Sequence, residues 1–158
     1  MKIFTDQTGR FPITSSTRKK YIMILYDYDI NSILTETMTS RDERELIRAT
    51  EELHGQLTAR GLKPQLQILD NECPRGLKQW LKQQEVGYQL VPPHIHRRNA
   101  AERAIATFKD HFITTLCGAD PNFPMHLWCR TVTQATRTLN MLRRSRICLL
   151  YTSPSPRD

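Results

Sequence analysis

The chain contains no run of eighteen apolar residues and no N-terminal signal-peptide pattern, so a soluble, intracellular protein without a membrane partner is expected. Its four cysteines, Cys73, Cys117, Cys129 and Cys148, show no C-x-x-C spacing. That argues against a zinc site or a disulfide framework and for reduced thiols. No internal repeat is present. Acids are scarce in the last third of the chain. From Val91 to Ile147 nine basic residues face three acids, so this segment carries +6 of the +7 net charge. A basic surface of that kind suits a polyanion, nucleic acid first, although solvated helix faces would give the same count. What is present, 158 residues of which 39% are hydrophobic, suffices for one domain with a real core.

Hydrophobic periodicity predicts the order β-β-β-α-β-α-β-α-α. Ile3 to Thr8 reads as a short strand broken by Gly9 and Pro12. Tyr21 to Tyr26 is a continuous apolar run, as in a central strand buried on both faces, and Ser32 to Met38 returns beside it. Ser40-Arg41-Asp42-Glu43 has the form of a capping box with Ser40 at the cap. It opens a helix with Leu46, Ala49, Leu53 and Leu57 that ends at Gly61. Leu66 to Asp70 alternates and ends in an acid. Pro74 precedes a short helix bearing Leu77, Trp80 and Leu81, and Tyr88 to Val91 forms a fifth strand. After Pro92-Pro93 a helix runs to about Leu116. At 100° per residue its Ala101, Ile105, Phe108, Phe112 and Leu116 fall within roughly 80° of one another, a core-facing stripe. The last helix begins near Pro124 and carries Leu127, Trp128, Val132, Ala135, Leu139 and Leu142. Three closely joined strands favour an antiparallel meander, and a strand–helix–strand crossover is parallel and right-handed, so the expected sheet is mixed and five-stranded.

Three acids occupy telling places in this order. Asp6 lies on the first strand, Asp70 ends the fourth, and Glu102 stands in the first turn of the helix after the fifth. If the first and fourth strands are neighbours, Asp6 and Asp70 meet at one sheet edge and Glu102 packs alongside. Three close carboxylates repel one another. Two hard divalent cations, Mg²⁺ or Mn²⁺, relieve that repulsion and suit in-line phosphoryl transfer. Acids at strand ends are common, and Glu102 read singly is equally an exposed residue suited to a helix N-terminus.

The stretches Asp6-Gln7-Thr8-Gly9-Arg10-Phe11-Pro12, Tyr21-Ile22-Met23, Leu69-Asp70-Asn71-Glu72 and Asn99-Ala100-Ala101-Glu102-Arg103 resemble the catalytic core of retroelement integrases. Val91 to Phe112, Phe123-Pro124 to Leu127-Trp128 and Thr138 to Arg143 are most similar to copia-type retrotransposon polyproteins. The resemblance covers residues 3 to 147. It implies an α/β, ribonuclease-H-like fold and an Asp-Asp-Glu triad of catalytic metal ligands at Asp6, Asp70 and Glu102. It also implies two Mg²⁺ or Mn²⁺ ions and no small-molecule cofactor. The implied partners are double-stranded DNA, at element ends and target, and further copies of the chain. The implied activity is trimming of element ends and their joining to target DNA, in the nucleus and in cytoplasmic virus-like particles. Lys109 matches a position where that family carries a DNA-contacting lysine. Two features depart from the family pattern. The gap between Asp70 and Glu102 holds 31 residues, a few fewer than usual, and the loop before Glu102 lacks the usual glycine.

Around the triad, Arg97, Arg98, Arg103 and Asn99 are candidate DNA contacts. His94 and His96 either touch DNA phosphates, handle a proton in the reaction, or are merely exposed. Arg143, Arg144 and Arg146 either bind DNA or cap a helix C-terminus. Asp27 and Asp29 are better explained by a turn before Asn31, and Trp80 and Trp128 by the core. Residues 148–158 match neither the preceding helix nor a cap, and they resemble a translation of the transposase-adaptor sequence used in sequencing libraries. The domain reading is therefore a catalytic core over 1–147, cut short at both ends, followed by a non-native, disordered tail over 148–158. Two alternatives remain open at this stage. One is a catalytically silent nucleic-acid-binding relic; the other is a ribonuclease H, for whose additional acids no clear counterparts are found.

Overall fold

A computed structural model of the chain describes residues 1–71, 73–91 and 100–145. Within these, five strands form one mixed sheet: β1 (Lys2–Gln7), β2 (Tyr21–Asp27), β3 (Ser32–Met38), β4 (Leu66–Leu69) and β5 (Gly87–Leu90). Their spatial order is β3-β2-β1-β4-β5. The first three pair antiparallel and β1, β4 and β5 run parallel, as the short and long connections require. Helices α1 (Glu43–Thr58), α2 (Arg75–Gln83), α3 (Ala100–Cys117) and α4 (Trp128–Leu142) complete the order expected from periodicity.

Strand alternation divides the core in two. Phe4, Ile22, Ile24, Tyr26, Ile33 and Ile68 face α3 and α4, while Ile3, Met23, Leu25, Leu34 and Met38 face α1. A smaller cluster under α2 gathers Leu69, Leu77, Leu81 and Val86. The α3–α4 face is rich in rings. Phe11 stacks on Trp128 with centroids 4.5 Å apart, and Phe108 stacks on Phe112 at 5.4 Å. Trp128 is only 2% exposed and donates its indole N–H to the Ile13 carbonyl at 2.8 Å, so it is a core residue as expected.

Three local details differ from the sequence reading. The cap of α1 is Asp42, whose Oδ1 accepts the Glu45 N–H at 2.9 Å, and Ser40 serves by donating its hydroxyl to Asp42. A carboxylate at the cap adds charge complementarity with the helix end, which a serine hydroxyl lacks. Gly61 lies beyond the helix, which stops at Thr58; its φ of 74° is the left-handed turn that follows. Leu142, expected in the stripe of α4, is 74% exposed at the helix end. The proposed turn at Asp27 is present. Asp27 Oδ1 accepts the N–H groups of Asp29 and Ile30, and Asn31 adopts φ 60°. No helix among the described residues is long and apolar enough to cross a membrane. Cys73, Cys117 and Cys129 are free thiols.

Candidate functional site

The register of β1 against β4 positions the first two acids. Phe4 pairs with Ile68 across parallel strands. Two residues further along each chain, alternation puts Asp6 and Asp70 side by side, on the sheet face that carries α3. Both also border one small cleft of about 70 Å³ at the C-terminal ends of the strands, which opens on the opposite side toward α1 and α2 and is lined there by Thr5, Met23, Leu46, Leu69 and Leu77. Asp70 is exposed and Asp6 half-buried. Each carboxylate turns one oxygen to the next backbone N–H: Asp6 Oδ1 to Gln7 and Asp70 Oδ1 to Asn71, both at 2.7 Å. Glu102 stands half-buried in the first turn of α3, beside Ala101, which is fully buried against the sheet.

Asp6 registers its neighbours electrostatically. Burial raises its pKa above the ordinary carboxylate range, the Gln7 N–H opposes that, and the negative charges of Asp70 and Glu102 raise it further. Arg41 acts in the lowering direction. Its guanidinium donates to the Thr8 carbonyl at 2.7 Å and lies 4.9 Å from the Tyr21 ring centroid. Sequence reasoning missed Arg41, because the contact spans 33 residues and no local spacing announces it.

These carboxylates are the hard oxygen donors that Mg²⁺ or Mn²⁺ takes, and a half-buried acid next to like charges is suited to a cation. Their grouping is loose. Among the described residues, no set of three His, Cys, Asp or Glu side chains is gathered tightly enough to hold a metal ion. Asp6 and Asp70 share the cleft, and Glu102 acts on Asp6 from outside its lining.

The remaining candidates separate. Lys109, two helical turns past Glu102, lines an apolar groove with Arg10, Phe11, Ile113 and Met125, next to the segment that leaves β1. Arg103 is exposed and lines a different cleft with Tyr26, Tyr28 and Arg143. His94, His96, Arg97, Arg98 and Asn99 lie outside the described residues, as do Arg146 and the tail over 148–158.

No family model matches the chain, and no curated protein matches it. Solved structures do. The trimeric form of the HTLV-2 integrase catalytic core domain in complex with magnesium superposes with a TM-score of 0.68 at 16% identity, over 90% of this chain and 86% of that one. The fold is ribonuclease-H-like. The dimeric form of the same domain gives 0.67 at 16% identity, over 90% and 86%. A chain of the simian T-cell lymphotropic virus intasome, solved in complex with PP2A regulatory subunit B56 gamma, gives 0.68 at 14% identity over 89% of this chain. The present chain spans 47%, about half, of that intasome chain. At such identities the likeness establishes the shared architecture, the mixed five-stranded sheet with its flanking helices.

Proposed function

We propose that the chain is the catalytic core of a copia-type retroelement integrase, a polynucleotidyl transferase that trims element DNA ends and joins them to target DNA. The observation that carries this reading is the β1–β4 register, which sets Asp6 beside Asp70 on the face covered by the helix bearing Glu102. The likeness to magnesium-bound integrase cores supports it. In this reading Asp6, Asp70 and Glu102 hold two Mg²⁺ or Mn²⁺ ions. When bound, such ions would activate an attacking oxygen and stabilise the leaving one at a phosphodiester.

The chain's own residues do the rest. Asp6 and Asp70 are held by adjacent parallel strands, so their separation is set by the sheet. Arg41, fixed on Thr8 and Tyr21, moderates the negative charge of an empty site. Lys109, Arg103 and the basic residues between Pro93 and Asn99 supply phosphate contacts. Double-stranded DNA and further copies of the chain are the partners, in the nucleus and in virus-like particles. Residues 148–158 we read as adaptor-derived and outside the functional unit.

Purified protein supplied with Mn²⁺ or Mg²⁺ is expected to rejoin a branched DNA substrate. Asp70→Asn and Glu102→Gln should each lower joining by at least about 10²-fold, because each removes a charge needed where the phosphate reacts. Joining retained in both variants overturns the triad. Salt-dependent DNA binding without joining in either metal identifies a silent nucleic-acid-binding relic instead.

A further inference from the structure

A second cleft lies on the same sheet face, displaced from Asp6 along the strands and next to Glu102, whose helical neighbours Ala100, Arg103 and Ala104 line it. Its cavity volume is about 200 Å³, and Tyr26, Tyr28, Asn31, Arg103, Thr107 and Arg143 are among its lining residues. Register gives the displacement. Tyr26 pairs with Phe4, and the Tyr28 N–H bonds the Lys2 carbonyl at 3.0 Å, so Tyr28 sits about four strand residues from Asp6. At about 3.3 Å per residue that is about 13 Å along the strands.

The cleft is built rather than incidental. Arg143 donates from Nε to the Asn31 carbonyl at 2.8 Å and from Nη2 to Asn31 Oδ1 at 2.6 Å, and its guanidinium lies 5.6 Å from the Tyr26 ring centroid. The Tyr26 hydroxyl donates to the same Asn31 Oδ1 at 2.9 Å. One cation is thus locked in place before any ligand arrives. Arg103, exposed on α3, supplies a second. Lys2 Nζ, 5.8 Å from the Tyr28 ring centroid, adds a third at the margin. The neighbouring acid Asp29 accepts the Lys2 backbone N–H at 3.0 Å. Tyr28 is 43% exposed, and its ring packs on Phe4 and Tyr26 with centroids 6.0 and 6.5 Å apart, leaving part of its surface open to the cleft. One fixed guanidinium and a second, exposed one beside a partly exposed aromatic ring match a phosphate with an attached base, and such groups recur in proteins that hold single strands.

We propose that the cleft framed by Tyr26, Tyr28, Arg103 and Arg143 binds one nucleotide of single-stranded DNA, its phosphate on the two guanidinium groups and its base against the Tyr28 ring. The proposal rests on the integrase reading, to which it adds a strand-holding site about 13 Å from Asp6 along the strands. A paired base in a duplex is stacked on its neighbours and does not offer its face to a ring, so the site discriminates single from double strands.

The test is fluorescence anisotropy with a short labelled oligothymidylate and a labelled duplex of the same length, without divalent metal. Tyr28→Ala should weaken oligothymidylate binding by about 5- to 150-fold while changing duplex binding by about twofold or less. Tyr28→Phe, which keeps the ring, should bind as the parent does. Arg103→Ala, at an exposed position, should weaken single-strand binding and reduce the salt slope by about 0.7. Undiminished single-strand binding in Tyr28→Ala, or an equal loss for the duplex, overturns the cleft. Strand joining reports separately on the integrase reading. Joining retained with no Tyr28 effect removes only the cleft, whereas a Tyr28 effect in a protein that joins nothing leaves the cleft standing without the integrase.

Discussion

The two faces of β1 and β4 carry polar residues in alternation, and they treat them in opposite ways. Toward α1, Thr5 and Gln67 belong to a closed network. Gln67 Nε2 donates to Thr5 Oγ1 at 2.8 Å, and Gln67 Oε1 lies 2.8 Å from His54 Nε2. The His54 ring in turn packs edge-on against Trp80 at 5.2 Å. Toward α3, the very next residue of β1 is Asp6, set beside Asp70 and within the field of Glu102. The first set is neutral and mutually satisfied. The second is charged and mutually repelling. A polar group against a packed face is accommodated either by being satisfied, as Thr5 and Gln67 are, or by serving a ligand, the role proposed for Asp6 and Asp70.

The largest expected effect breaks the comparison by function. Asp70→Asn should cost DNA joining at least about 10²-fold yet leave unfolding free energy within about 0.5 kcal/mol, since the side chain is exposed. A large loss of stability in urea titrations would mean that Asp70 is a structural acid. Gln67→Leu is the converse case. It strips partners from two buried groups and should lower stability by about 1–3 kcal/mol, measured by the same titration, while the joining rate per folded molecule stays near that of the parent. A smaller expected effect concerns Asp6→Asn. Burial and like charge disfavour the Asp6 carboxylate, so the neutral variant should melt at a higher temperature than the parent without divalent metal. Adding Mg²⁺ should raise the parent's melting temperature and leave that of the variant unchanged. A variant that melts lower would show that the acids stabilise one another.

The smallest effect sharpens the opposite face. Burial holds the His54 pKa below the ordinary imidazole value, with the Gln67 contact opposing. The folded state therefore keeps His54 neutral where the unfolded chain would already be protonated. Its contribution is present above the ordinary value near 6.5 and is lost as pH falls through the lower, folded value. The slope is at most about 1.4 kcal/mol per pH unit. Stability of His54→Gln measured across that window should be flatter than the parent's, and an unchanged slope would assign the acid sensitivity to other groups.

Much of this was legible beforehand, for identifiable reasons. The nine-element order follows from periodicity, because Tyr21–Tyr26 is apolar throughout while the stripe of α3 recurs at helical spacing. Trp128 and the turn at Asp27 were read correctly from local context. The α1 cap was misplaced by two residues, since Ser40 and Asp42 both have capping chemistry and only backbone geometry selects between them. Leu142 fitted the α4 stripe, but the stripe outruns the surface it packs on.

The site divides along the same line. The acids could be picked out as candidates from their places at strand and helix ends, and the resemblance of the surrounding stretches to integrase cores is what set them apart as a triad. Arg41 could not be named, nor could the partnership of Arg143 with Asn31, which joins residues 112 apart. Sequence determined which residues bear charge, which faces are apolar and in what order the elements come, all of these being local properties of a chain with period 2 or 3.6. The tertiary structure decided that β1 lies next to β4 with Phe4 opposite Ile68, and hence that Asp6 stands beside Asp70. It also sent Arg103 to the tyrosine cleft and Lys109 to the groove by β1. Strand neighbours and helix rotation are settled by burying two apolar faces at once, a requirement on the whole chain that no local pattern records.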